Sequence, residues 1–496
     1  MNQTPTRVPA RTAAVSAALA LVTALTGATT AQAQAAAHAG TVHVPCSVSK
    51  LVEAINMANN SPGAATLRLA RKCTYKLTSP DAVNPANGLP AIISEITIDG
   101  NGATITRATS APDFRILLVD KAGTLTLNKI TVSGGRATDC PLFPGQGVCG
   151  GGINNQGTLT VNHSRVVHNA ADTATNGIFA EGGGIDSDGT ATVNDTDISN
   201  NTAIYTGKTE SIADGGGIAN DGPLTLSRSR VTDNTVRVTE NTNSTAFGAG
   251  HIAFATTTID HSTISDNHAD APGGTAQAAG YAAFAKTTID HSTISGNRAD
   301  APDGTALGAV SNGSPDRVTV TDTVIGRNTT SAPGGIALGG GVANNGPLDM
   351  ISTRVVDNTA IAAGGTARGG GIRNGPFGEL ALKSSTVRDN TAKATNGGTA
   401  QGGGIDNPAG GTVTTHHSDI NDNTAKAPGR GTAQGGGIYH AVGSTTLNDS
   451  TVTGNTAGDG GGIFKASGTV TLNNTVVKRN KPNNCAPSDS VPGCIG

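Results

Sequence analysis

Eleven asparagines recur along the chain, at Asn169, Asn201, Asn234, Asn267, Asn297, Asn328, Asn358, Asn390, Asn423, Asn455 and Asn480. Three residues before each stands a β-branched aliphatic, and five residues before each stands a hydroxyl, as in Val166 and Ser164 or Ile420 and Ser418. None of the three columns has an exception. Intervals of 25 to 33 residues mean a stack of like units, because one such unit cannot bury its own apolar face.

The shortest interval, Asn455 to Asn480, displays the minimal unit. After Asn455-Thr456 come a glycine turn, Gly460-Gly461-Gly462-Ile463, then Thr469-Val470-Thr471-Leu472, then Thr475-Val476-Val477. Val470, Leu472 and Val477 alternate with polar residues, the period of a strand. Three short strands separated by turns predict a triangular coil. Longer coils add residues in one place, between the Asn-Thr pair and the next glycine run, as in Lys426-Ala427-Pro428-Gly429-Arg430-Gly431. Insertions at one corner predict a row of loops along one edge. Stacked coils lie ~4.8 Å apart. Equivalent asparagines can therefore bond to one another and to turn backbone that lacks a strand partner. The Val/Ile column belongs inside, and the hydroxyl column satisfies backbone at the preceding corner.

Composition agrees with a thin core. Aromatic residues make up 2% of the chain, with no Trp, while Gly numbers 69. A compact globule of this length is normally anchored by aromatic side chains; a solenoid stacks small and β-branched ones instead.

The units Gly182-Gly183-Gly184-Ile185, Gly157-Thr158-Leu159-Thr160-Val161 and Asp357-Asn358-Thr359-Ala360 resemble right-handed parallel β-helix proteins of the pectin-lyase-like superfamily. Their spacing is also similar to polymorphic outer-membrane protein repeats. Ile96 to Ile105, with Asp99-Gly100-Asn101-Gly102 inside it, resembles the first coils of secreted bacterial members. The resemblance runs from Ile92 to Asn480 and implies an all-β, right-handed parallel β-helix of about 12–14 coils. It implies little about activity, since one fold hosts many functions.

The first 35 residues read as a leader. Arg7 and Arg11 precede an Ala-rich apolar run, and Ala31-Gln32-Ala33 and Ala33-Gln34-Ala35 offer small-residue cleavage sites. The expected organisation is a signal peptide over 1–35, a helix-containing N-terminal cap over 36–90, the β-helix over 91–480 and a C-terminal cap over 481–496. Capping is required because open strand edges invite aggregation. Cysteines in an exported chain suggest disulfides. The six fall as sequence-local pairs, Cys46 with Cys73, Cys140 with Cys149 and Cys485 with Cys494, and local pairing is the expectation among the 15 connectivities that six cysteines allow.

Charge excludes some partners. There are 33 basic and 36 acidic residues, and no strongly basic stretch points to nucleic acid. Beyond the leader, no apolar run approaches the ~18 residues of a membrane span. A released, extracellular monomer is expected.

Chemistry is sought where the pattern breaks. Aligned on the glycine run, Glu181 and Asp214 share one column and Asp188 and Asp221 another, with Asp186 nearby. Column neighbours lie close to the ~5 Å that paired glycosidase carboxylates use. Glu181, Asp186 and Asp214 are therefore the candidate catalytic set, and Asp188 and Asp221 the candidate ligands for Ca2+. A second acidic column, Asp233, Asp266, Asp357, Asp389 and Asp422, reads as turn residues. Arg165, Asp197 and Arg230 form an exposed ladder of alternating sign, and Arg373 with Asp406 repeats that device. Phe254 and Phe284 are expected to take over the partial second asparagine column (Asn155, Asn220, Asn312, Asn344, Asn374, Asn407) as contacting rings. Asp260-His261 stacks on Asp290-His291, but Ser262 and Ser292 belong to the hydroxyl column, so no Ser-His-Asp triad is expected.

Polysaccharide lyases and hydrolases of this fold carry Asp clusters with a His or Arg, on grooves with aromatic platforms. The sequence has neither an Asn-Thr-Asp, His-Gly and Arg-Ile-Lys set nor a Trp-Ile-Asp-His motif. The functional expectation is therefore a secreted, non-catalytic binding or adhesive scaffold for a polysaccharide or cell-surface partner. The alternative is a polysaccharide lyase or glycoside hydrolase acting through Glu181, Asp186 and Asp214.

Overall fold

The computed structural model describes residues 40–174, 179–207, 212–239 and 243–495, so the leader call lies outside the described residues. These residues belong to one compact unit, His38–Gly496. They wind into a parallel β-solenoid of about 12 turns. One coil shows the plan. Ile185–Ser187, Thr190–Asn194, Asp197–Ser199, Thr202–Tyr205 and Ile212–Asp214 follow in order, and Ile218–Asn220 starts the next coil.

Each strand pairs in parallel with its counterpart one coil on, Ile185 with Ile218, Ile198 with Val231, Ala203 with Val236 and Ala213 with Ala246. The first kind of strand builds a 13-stranded sheet. The second and third together build a 27-stranded one, the fourth a nine-stranded one and the fifth a 10-stranded one.

The residues expected to loop out of the longer coils thus form two further sheets. Their cores are Ala203, Ala213, Ala269, Ala276, Ala299 and Ala306, all fully buried. Alternating Thr and Ala gives a strand little hydrophobic contrast, but single methyl groups suffice when two sheets approach closely. Each long coil therefore encloses two cores. One is aliphatic, with Ile185, Leu226, Val231 and Ile294; the other is almost all alanine.

Between them lies a waist where the glycine run meets the asparagine column. A Cβ on Gly217 would stand 2.5 Å from the Gly250 carbonyl oxygen and 2.9 Å from Asn234 Nδ2, so no side chain fits at Gly217.

The asparagines form the expected ladder. Asn234 donates from its backbone N and from Nδ2 to Asn267 Oδ1, both at 3.0 Å, and from Nδ2 to the Ile198 carbonyl at 3.0 Å. The same pattern continues to Asn480. The hydroxyl column behaves likewise. Ser229 N donates to Ser262 Oγ at 3.1 Å, and Ser262 Oγ donates to the Asp260 carbonyl at 2.8 Å. The residue before each rung is left-handed in both columns, such as Asp195 (φ 48°) and Asn200 (φ 56°). Asp233, Asp266, Asp357, Asp389 and Asp422 are exposed members of this set, with φ of 55–58°. Asp tolerates that region better than most residues, so the turn reading of this column holds.

The helix Val48–Asn59 buries Leu51, Ala54, Ile55 and Ala58 in one cluster with Leu67 and Ile98. Thr41–Val44, Ala65–Leu69 and Thr74–Leu77 already join the broad sheet. At the far end Cys485–Ala486 pairs with Ile463–Lys465. All three disulfides join the sequence-local pairs: Cys46–Cys73, Cys140–Cys149 and Cys485–Cys494.

Candidate functional site

The glycine run also shapes the outer surface. Gly182 is left-handed (φ 60°), and a Cβ there would stand 2.5 Å from Asp186 Cβ. The chain therefore folds back on itself, and the residue before the turn faces the residue four beyond it. Repeated coil by coil, this sets outward side chains of the 10-stranded and 13-stranded sheets against one another at a concave corner of the stack, called the groove below. Cross-wall contacts define it. Phe247 and Phe284 meet edge to face at 5.9 Å. Gln277 Nε2 donates to Ser311 Oγ at 2.7 Å, and the Arg368 guanidinium lies 5.7 Å from the Tyr439 ring centre.

At one end the groove is acidic. Glu181 and Asp214 are register partners, as their shared column requires. Asp186 stands on the opposite wall and accepts a hydrogen bond from Asn154 Nδ2 at 2.6 Å. Glu181 and Asp186 are 3% exposed and Asp214 6%, so the predicted catalytic trio lies deep in the groove. Burial holds the Asp186 carboxyl well above its ordinary proton affinity, and the charges of Asp188, Asp221 and Asp214 add to that. Arg115 opposes them. It is fully buried, donating to Asn87 Oδ1 at 3.0 Å and to the Cys149 carbonyl at 3.2 Å. Asp188 and Asp221, the predicted cation ligands, sit half-buried at the edge of this cluster. Their backbone N–H groups donate to Asn155 and Ser187 carbonyls one coil back, so they too share a column.

The middle of the groove is apolar. Ala219, Ile252, Ala278 and Ala282 form a buried cluster of their own, with half-buried Phe247, Phe254 and Phe284 packed on it. Phe254 and Phe284 stack at 5.3 Å and 13°, the ring contact the sequence suggested. Their column differs by one residue. The register runs Asn220, Ala253, Ala283, Asn312, so alanines replace the asparagines and each phenylalanine follows. The rings, on the outward alternation, pack on Ile252 and Ala282 in the groove.

The far end carries both signs. Arg373 and Asp406 are register partners, but the reading of them as an exposed ladder is corrected: Asp406 is completely buried. Neither of its carboxylate oxygens has a hydrogen-bond partner among the described residues. Burial raises its pKa to about 6, against the opposing pull of Arg368 and Arg373. Arg368 Nε donates to Gln401 Oε1 at 2.7 Å, and Tyr439 stacks on Phe464 at 5.6 Å. The sequence signal was present, since Leu338, Arg368, Gln401 and Gln434 precede successive glycine runs just as Glu181 and Asp214 do.

On the opposite side, Arg165 Nε reaches Asp197 Oδ2 at 3.2 Å in the exposed ladder. Ser262 is 2% exposed and tied into the hydroxyl ladder, while the neighbouring His261 is exposed. No Asp-His-Ser triad assembles there.

No family model and no curated protein matches the chain. Among solved structures it is similar to a double mutant of the periplasmic alginate epimerase AlgG, at 10% identity and a TM-score of 0.23, over 89% of this chain and 83% of that one. So shallow an overlap speaks neither to activity nor to substrate.

Proposed function

We propose that the chain is an extracytoplasmic binding protein whose groove holds an elongated polysaccharide. One observation carries this reading: the corner between the two sheets sets side chains of both walls together and has stacked, half-buried phenylalanines packed on an apolar cluster. A chain-like ligand lying along the stack meets a fresh pair of walls each ~4.8 Å, and sugar faces pack on aromatic rings through apolar C–H surface. Three disulfides support an oxidising compartment. The test is retention in gels cast with a panel of soluble polysaccharides. The chain should be retarded by at least one, and the Phe254→Ala/Phe284→Ala variant should run as in a blank gel. Mobility unchanged across the panel would remove the reading.

A second reading rests on Asp186. Two carboxyls with unequal proton affinities form the acid–base pairing of glycoside chemistry; burial raises that of Asp186, and the charges of Asp188, Asp221 and Asp214 add to the shift. Asp188 and Asp221 would hold Ca2+ at that end through carboxylate oxygens. Chain shortening of a retained polysaccharide, lost in Glu181→Ala/Asp214→Ala, would establish cleavage. Shortening that persists in that variant would rule this site out.

A further inference from the structure

We propose that His261, His291 and Asp322 form a surface site for one borderline divalent transition-metal ion, such as zinc or nickel, with Asp260 and Asp290 orienting the two imidazoles. The three ligands are successive members of one left-handed corner column, with φ of 46°, 43° and 45°. They lie on the broad sheet, outside the groove.

Each imidazole is already set as in metal centres. His261 Nδ1 is 2.7 Å from Asp260 Oδ1, and His291 Nδ1 is 2.8 Å from Asp290 Oδ2. A ligating histidine typically donates its second N–H to a carboxylate, which fixes the tautomer and raises the basicity of the ligating nitrogen. That leaves both Nε2 atoms as ligands. His291 Nε2 lies 3.9 Å from Asp322 Oδ2, a span that one ion bridges at metal–ligand distances of ~2.0–2.2 Å.

The two rings are parallel within 2°, with centres 4.9 Å apart. To share one tetrahedral ion the two nitrogens must close by roughly 1.5 Å, and Asp322, one coil beyond His291, must swing toward them, rotations open to side chains that are 57%, 51% and 45% exposed. Three carboxylates surround two imidazoles here. The cation before them in the column, Arg228, is held by Asp195 through Nε at 3.0 Å and Nη2 at 2.9 Å. Ser352 follows Asp322 in the column and carries no charge. Imidazole with carboxylate suits zinc, nickel or copper, whereas calcium prefers all-oxygen sites.

The experiment is calorimetric titration of chelator-stripped protein with Zn2+, Ni2+ and Ca2+ separately. The wild type should take up one equivalent of Zn2+ or Ni2+ that His261→Ala/His291→Ala lacks. Asp290→Asn should weaken that equivalent about tenfold through the lost orientation. His163→Ala should leave it intact, since that corner histidine has a single carboxylate at 3.8 Å. Circular dichroism would confirm that these exposed substitutions leave the fold unchanged. No uptake by the wild type, or equal uptake by the double variant, would overturn the proposal.

Discussion

The aliphatic and alanine lobes are made by the same coils, in the same parallel register, from opposite choices of side chain. Around Asn297 the first lobe buries Ile289 and Ile294 while the second buries Ala299 and Ala306. A buried Ile contributes about 1.5–3 kcal/mol and one methyl about 0.8 kcal/mol. The alanine lobe therefore owes less to apolar burial and more to its ladders, such as Thr275 with Thr305. Core width, not strand pairing, separates them. The difference reaches the groove, because one wall backs onto the aliphatic lobe and the other onto the alanine lobe.

The comparison breaks first at the waist. Asn297→Ala removes the acceptor of Asn267 N and Nδ2 and the donor to the Ile264 carbonyl. At about 1–3 kcal/mol for each buried group left unpaired, this should be the largest loss, and denaturant melts should show both lobes unfolding together. A separate transition for each lobe would mean the waist does not couple them.

Next come the cores. Ile294→Ala should cost about 2–5 kcal/mol by leaving a cavity, whereas Ala306→Leu should cost about 1–3 kcal/mol by overfilling a narrow one. Equilibrium denaturation decides it; a neutral Ala306→Leu would mean the alanine lobe has slack and the contrast is false.

The smallest test is acid dependence. His251 takes a core position between Ile218 and Tyr281 in register, and burial lowers its pKa to about 3. The folded state binds this proton less readily than the unfolded one. Its contribution is therefore complete above ~6.5 and declines as pH falls from there toward 3. Asp406, raised to about 6, acts oppositely, favouring the fold below ~3.8 and losing that contribution as pH rises toward 6. His251→Ile should make the melting temperature less sensitive to acid between pH 6 and 4. An unchanged slope would show that His251 binds its proton equally well in the folded and unfolded states.

Much of this architecture is legible in the sequence because the solenoid repeats its constraints. Asn, Val/Ile and Ser/Thr recur since every coil must satisfy the same carbonyl and fill the same corner. Counting from them places Glu181 beside Asp214 correctly. The alanine lobe was not legible. Strands of three or four residues with Thr and Ala alternating look like loop, and their pairing depends on a neighbour some thirty residues away. Asp406 was misjudged for a related reason. A charged residue on a strand's outer side reads as solvent-facing, and only the left-handed glycine corner turns that side into a buried groove wall.

The asparagine ladder also gives the molecule a polarity. The backbone N and one Nδ2 bond of each rung point to the following coil, as Asn234 does to Asn267 Oδ1, while the other Nδ2 bond reaches back to the preceding coil, as to the Ile198 carbonyl. A chain emerging from its amino end would thus build on a template it has just made. The last rung needs a terminator. Asn480 N and Nδ2 donate to Asn484 Oδ1 at 3.2 and 3.1 Å, only four residues on. A tight turn in the disulfide-bonded tail thereby imitates the next coil and closes the asparagine ladder.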